Sequence, residues 1–246
     1  MKTRVLSIAL LTVALQFANA QTKKASPPKK SAPAAAVAPA PAAPQEKEQF
    51  IEISTIYGVM VAKLYNSTPL HRDNFISKIK EGFFDSLLFH RVIRDFMIQG
   101  GDPTSKNAPD SVMLGAGSAP GDRIPAEFRP NLIHKKGALA AARDGNPQKA
   151  SSNCQFYIVH GKRSDTSELR SINDRILKDG SSNFHYTNAQ KEIYQRIGGT
   201  AQLDQNYTVF GEVVSGLDVI DRIANAPTKP GDRPVKNVIM KIKLIN

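Results

Sequence analysis

Arg91, Phe96, Met97 and Gln99 lie within nine residues of one another, in the stretch Phe89-His90-Arg91-Val92-Ile93-Arg94-Asp95-Phe96-Met97-Ile98-Gln99-Gly100-Gly101-Asp102. Side chains alternate faces along an extended segment, so Arg91 and Ile93 project together. A bend at Arg94-Asp95 then brings Phe96, Met97 and Gln99 back alongside. The set offers a fixed cation, an amide and an apolar wall. It has no activated nucleophile and no cluster at metal-ligand spacing. Such parts suit holding and twisting a neutral polar group better than cleaving one. His90 next to Arg91 invites a general-base reading, but it points to the opposite face and reads as a satisfied core histidine. Asp102 after two glycines reads as a turn or cap carboxylate. His71, His134, His160 and His185 are scattered through the chain and suggest no site.

These residues need a scaffold of strands. Phe50 to Ile56 alternates apolar and polar residues, Tyr57-Gly58 turns, and Val59 to Tyr65 resumes the alternation, which is a β-hairpin. Thr68 is placed as an N-cap, Pro69 in the first helical turn and Gly82 as a stop, with Phe75, Ile76 and Ile79 as the apolar stripe. Strands follow over 83–99, 137–143, 154–159 and 209–214, with a loop over 102–129. Ser215 is placed as the cap of a short helix in which Leu217, Ile220 and Ile223 align. Val238 to Ile245 closes the chain as a strand with Lys241 and Lys243 on its outer face. Many strands and two separated helices, without regular β-α alternation, indicate an antiparallel barrel plugged by helices.

Not all 246 residues belong to that scaffold. Lys2 and Arg4 precede an apolar run to Phe17, then Ala18-Asn19-Ala20, the pattern of a secretory signal over residues 1–20. An uncleaved N-terminal anchor is the alternative, though the run is short for a membrane span. Residues 21–44 contain nine Ala, six Pro and four Lys without an acid, so 21–49 reads as an extended linker. The domain is 50–246. Of the formal charge of +11, the leader holds +2, the linker +3 and the domain +6. The domain cations are scattered, and with export this argues against a nucleic-acid partner. No later segment is apolar enough to span a membrane. The lone Cys154 excludes an internal disulfide and reads as a buried thiol. The exported protein is expected in the periplasm or outside the cell, as a monomer.

The blocks Phe89-His90-Arg91 with Phe96-Met97-Ile98-Gln99-Gly100-Gly101-Asp102, Gly137-Ala138-Leu139-Ala140-Ala141-Ala142, Gln155-Phe156-Tyr157-Ile158 and Val209-Phe210-Gly211-Glu212-Val213-Val214 together resemble the cyclophilin family of peptidyl-prolyl isomerases. The resemblance implies a mainly β fold: a closed eight-stranded antiparallel barrel capped by two helices. It implies an isomerase of X-Pro bonds in exported polypeptides, without cofactor or metal. By position it makes Arg91 the catalytic arginine and Gln99 the ligand of the substrate backbone. Phe96, Met97, Tyr157 and Leu203 become the walls of a proline pocket, and Ala142 and Arg143 a backbone platform. Gln155 becomes a second polar contact, and Tyr207 stands where the family often has a pocket His. Gln202 replaces the Trp of a common Trp-Leu pair, Arg143 an Asn and Tyr157 a Phe. A non-catalytic proline-peptide-binding chaperone module is the alternative those departures support. A hydrolase lacks a nucleophile with its base and orienter.

Between Lys162 and Leu203 the chain is much longer than a family hairpin connection. Leu169, Ile172 and Ile176 mark one amphipathic helix stopped by Gly180. Thr187 with Gln190 forms a capping box for a second, with Ile193 and Ile197 on one face and Gly198-Gly199 as the stop. The expectation is a helical hairpin inserted over about 163–201, either packed on the barrel as a lobe or serving as a lid or docking surface.

Overall fold

The computed structural model describes residues 47–180 and 183–245; the leader and nearly all of the linker lie outside them. The hairpin expected from alternation is β1 (Gln49–Thr55) and β2 (Gly58–Leu64), paired in register from Gln49–Leu64 to Thr55–Gly58. Its inward residues Ile51, Ile53, Met60, Ala62 and Leu64 are fully buried. The remaining strands are β3 (Phe89–Ile93), β4 (Met97–Gly100), β5 (Ala138–Ala141), β6 (Phe156–Val159), β7 (Val209–Ser215) and β8 (Met240–Ile245). They form one antiparallel sheet in the order β3-β4-β6-β5-β7-β2-β1-β8.

The sheet is an open half-barrel, which corrects the expectation of a closed one. Edge strands β3 and β8 share no ladder and meet at the single bridge Leu88–Ile239. Phe89 N to Val238 O (2.9 Å), Met240 N to Leu87 O (2.8 Å) and Ser86 N to Met240 O (3.1 Å) stitch the seam there. Further along, Val92 N donates instead to Asp232 O (2.8 Å), so a loop occupies the space a closing ladder would need.

Helices α1 (Pro69–Lys80) and α4 (Leu217–Ala224) close the core. Phe75 of α1 sits among Phe84, Phe156 and Phe210, with ring centroids 4.7, 5.2 and 5.3 Å away. Two expected caps differ. Thr68 makes no side-chain cap bond; the carboxylate of Glu127 accepts from Leu70 N (3.2 Å) and His71 N (3.0 Å) instead. At α4 the cap position is Gly216, at φ +82°, rather than Ser215. Ile220 and Ile223 of α4 are buried as expected, together with Val219 and Ala224, while Leu217, at the first position of the helix, is exposed.

The insertion folds as α2 (Thr166–Lys178) and α3 (Asn188–Arg196). Leu169, Ile172 and Ile176 are buried, and the Thr187–Gln190 capping box is formed, both as expected. The inner face of α3 is not. Ile197 is exposed and Ile193 only half-buried, whereas Gln190 and Tyr194 are buried. The helices pack with Ile133, Phe184, Tyr186 and Ala201 into a core of their own. Gly199 ends the insertion where a Cβ would collide with the carbonyl of His134 and the ring of Tyr194, so its lack of a side chain permits the close packing.

Candidate functional site

The central strands are apolar on both faces. Ile98, Leu139 and Ile158 face the main core. Met97, Ala138, Ala140, Tyr157 and Val159 face outward into a second apolar cluster with Val209 and Ala142, edged by Ile93, Phe96, Leu203 and Tyr207. A sheet face turned toward solvent ordinarily alternates to polar residues. Here small alanines on β5 sit between large side chains in an apolar cup whose floor residues are buried and whose rim residues Ile93, Phe96, Leu203 and Tyr207 are partly buried.

Strand register delivers the polar groups to its lip. Arg91 pairs with Gln99 across β3–β4, Gln99 with Tyr157 across β4–β6, and Tyr157 with Ala140 across β6–β5. Directly opposed residues share a face, so the cation, the amide and the cup wall form one row. The turn that joins β3 and β4 carries Asp95 at φ +62°. Asp95 N donates to His160 Nδ1 (2.9 Å), and the Phe96 carbonyl accepts from His160 N and Gly161 N. Because Nδ1 accepts, Nε2 carries the proton and faces Asp221 (3.2 Å). Burial, chiefly, and the nearby Lys136 hold the His160 imidazole below its usual range, which preserves that acceptor.

The Arg91 side chain is 42% exposed, and its Nε donates to Asp232 Oδ2 (3.3 Å), leaving the guanidinium in reach of solvent. Gln99 Nε2 donates to Gln155 Oε1 (2.9 Å), and Gln155 Nε2 donates to the carbonyls of Gly115 (3.0 Å) and Gly117 (2.7 Å). Those carbonyls fix the Gln155 amide, which in turn orients Gln99. Ala142 uses both backbone groups internally, N–H to Gln155 O (2.9 Å) and C=O from Ser152 N (2.8 Å). Ala142 thus presents its methyl to the cup, and the backbone edge that remains beside it is that of Arg143. The Arg143 side chain donates to Asn206 O (3.0 Å) and Asn206 Oδ1 (2.8 Å), with its guanidinium 4.5 Å from the Tyr207 ring centroid. A groove of about 590 Å³ runs beside the cup rather than inside it, lined among others by Gln99, Ala142, Arg143 and Gln155.

All ten residues singled out from the sequence therefore lie at the cup or the adjoining groove. Sequence reasoning missed Asp232, His160, His134 and Asp204. Asp232 is 141 residues from Arg91, and its only local signal is the Gly231-Asp232 turn, with Asp232 at φ +65°. Asp204 directly follows the wall residue Leu203. His90 is buried, as expected of a core histidine, but neither ring nitrogen makes a well-formed hydrogen bond, the Leu88 backbone being a weak partner. Asp102 is a cap, accepting from Thr104 N (2.8 Å), Gly115 N (2.5 Å) and Gly117 N (3.4 Å).

A sequence model described as cyclophilin type peptidyl-prolyl cis-trans isomerase/CLD matches residues 50–244. A Staphylococcus aureus relative named for peptidyl-prolyl cis-trans isomerase activity is 35% identical over 198 residues, covering 80% of this chain and 91% of its own. A Staphylococcus epidermidis relative of the same description is 34% identical with the same coverage. The fold is similar to that of a Cryptosporidium parvum cyclophilin type isomerase, with a TM-score of 0.60 and 22% identity over 81% of this chain and 99% of that one. The same Cryptosporidium protein in the presence of the dipeptide Ala-Pro gives 0.56 and 21%, over 80% and 99%.

Proposed function

Because the chain belongs to the cyclophilin-type peptidyl-prolyl cis-trans isomerase family, we propose that Arg91 lowers the rotation barrier of an X-Pro bond whose ring sits in the Phe96–Met97–Tyr157–Leu203–Tyr207 cup. The observation that carries this is the register that sets Arg91 opposite Gln99 on the sheet face that holds this apolar cluster. Conjugation gives the peptide C–N bond a barrier of ~18–20 kcal/mol. Before proline, cis and trans differ by only about 0.5–1 kcal/mol, so a catalyst need only lower the barrier. At a twist of about 90° the imide nitrogen is no longer conjugated and becomes a hydrogen-bond acceptor. A guanidinium facing it stabilises the twisted state more than either planar one, which is selective transition-state binding. Arginine suits the position because it stays charged and its donors are held in a planar fork. A charge-assisted bond contributes about 1.5–3 kcal/mol, or ~10- to 150-fold in rate.

The remainder comes from positioning. The apolar cup holds the ring while the preceding carbonyl swings, and Gln99, oriented by Gln155, meets the substrate backbone. The rest of the peptide runs along the Arg143 backbone and the groove beside it. No atom is transferred, so no cofactor or metal takes part. The Ala-Pro dipeptide present with the Cryptosporidium cyclophilin supports proline peptides as the ligand class. Substrates are read as exported polypeptides, because Lys2, Arg4, the apolar run and Ala18-Asn19-Ala20 make up a leader. The protein is read as a monomer that binds no nucleic acid. No helix among the described residues is long and apolar enough to cross a membrane. A protease-coupled assay on an Ala-Pro peptide tests the reading. Acceleration supports an isomerase, and peptide binding without acceleration indicates a binding module instead.

A further inference from the structure

The wall residue Tyr157 is bonded to the insertion through buried polar groups. Its hydroxyl lies 3.0 Å from His134 Nε2, with the two rings within 14° of parallel. His134 Nδ1 lies 2.7 Å from Asp204 Oδ1, which also accepts from His134 N (2.8 Å). The other carboxylate oxygen, Oδ2, accepts from Tyr186 O–H (2.7 Å) and Tyr194 O–H (2.6 Å), both supplied by the insertion. His134 and Asp204 are at most 1% exposed.

Bonding directions follow from the chemistry. Nδ1 faces a carboxylate and carries the proton, so Nε2 accepts from the Tyr157 hydroxyl. A buried carboxylate needs all its donors, so the two tyrosines hold Asp204 in place and Asp204 sets the tilt of His134. A phenylalanine at 157 would form the same apolar wall but could not sense any of this. The neighbouring walls Leu203 and Tyr207 are held by backbone bonds, Leu203 N to Thr200 O (2.9 Å), Tyr207 N to Leu203 O (3.1 Å) and Thr200 N to His134 O (2.8 Å). Tyr157 is the wall whose side chain is tied to Asp204 by hydrogen bonds, through His134.

We propose that the inserted helices position the proline cup: Tyr186 and Tyr194 fix Asp204, which through His134 sets the Tyr157 ring against the substrate's proline. This rests on the isomerase reading and assigns the insertion a role in substrate fit. The test is a double-mutant cycle of Tyr194→Phe and Tyr157→Phe in the full chain. The readouts are kcat and KM for an Ala-Pro peptide, the Kd of that peptide by NMR titration, and urea unfolding to show that each variant is folded. Tyr194→Phe should raise KM and Kd at least about threefold with kcat unchanged, and that effect should vanish in the Tyr157→Phe background. Additive effects, or a Tyr194→Phe variant with wild-type KM and Kd, would overturn the proposal. Should Tyr194→Phe not fold, Tyr186→Phe removes a donor to the same oxygen and takes its place. A wild type without acceleration defeats the isomerase reading alone, since the Kd cycle still decides the relay.

Discussion

His90 should make the protein acid-labile in a defined pH window. The residue is 2% exposed on the strand that carries Arg91, and neither ring nitrogen makes a well-formed hydrogen bond. Burial, more than any neighbouring charge, pulls the imidazole down to about 4. The unfolded chain takes up the proton near pH 6.5. Between those values the unfolded state is protonated and the folded state is not, so acid favours unfolding. The contribution is intact above pH 6.5 and is lost as pH falls toward 4. One pKa unit corresponds to 1.36 kcal/mol, so the loss is about 1.5 kcal/mol at pH 5.5 and about 2.5 kcal/mol at pH 4.5. Urea unfolding of wild type and His90→Leu at pH 7.5, 5.5 and 4.5 measures it. Leucine fills much of the same space and cannot titrate, so the variant should lose less stability over this range by about those amounts. His71 and His160, also held below their usual range by burial, leave a residual slope in both proteins. Asp102 and Glu212 are lowered carboxyls, so their contributions are lost at lower pH, below their unfolded values near 4. Parallel stability–pH curves for wild type and His90→Leu would refute the argument.

Two further outcomes follow from contacts already described. Glu127→Ala removes the acceptor of Leu70 N, His71 N and His71 Nδ1 (2.7 Å) in a buried setting, and should cost about 2–4 kcal/mol by urea unfolding. A loss below about 0.5 kcal/mol would mean that Thr68 or water replaces the cap. Cyclosporin-type ligands should bind weakly, because Gln202 stands where a Trp would supply an indole N–H donor at the groove rim; a sub-micromolar calorimetric titration would contradict this.

What could be read from the sequence was local. Alternation located β1 and β2, the capping box located α3, and one short block brought Arg91, Phe96, Met97 and Gln99 together. What could not be read depends on residues far apart in the chain. Glu127 caps a helix 57 positions earlier, and Asp232 meets Arg91 from 141 positions away. The inner face of α3 shows the same limit. Hydrophobicity favours Ile193 and Ile197, yet Tyr194 is buried because Asp204 accepts its hydroxyl. The open seam between β3 and β8 reflects loop placement around Asp232, which strand patterns do not encode.

NMR exchange on an Ala-Pro peptide, run with wild type and Arg91→Ala, tests the role of Arg91 most directly. The guanidinium should matter only when the imide is twisted, so Arg91→Ala should bind the peptide with a Kd within about twofold of wild type while its exchange rate falls ~10- to 150-fold. An Arg91→Ala protein that isomerises at the wild-type rate, or one whose lost rate is fully matched by lost binding, would contradict it.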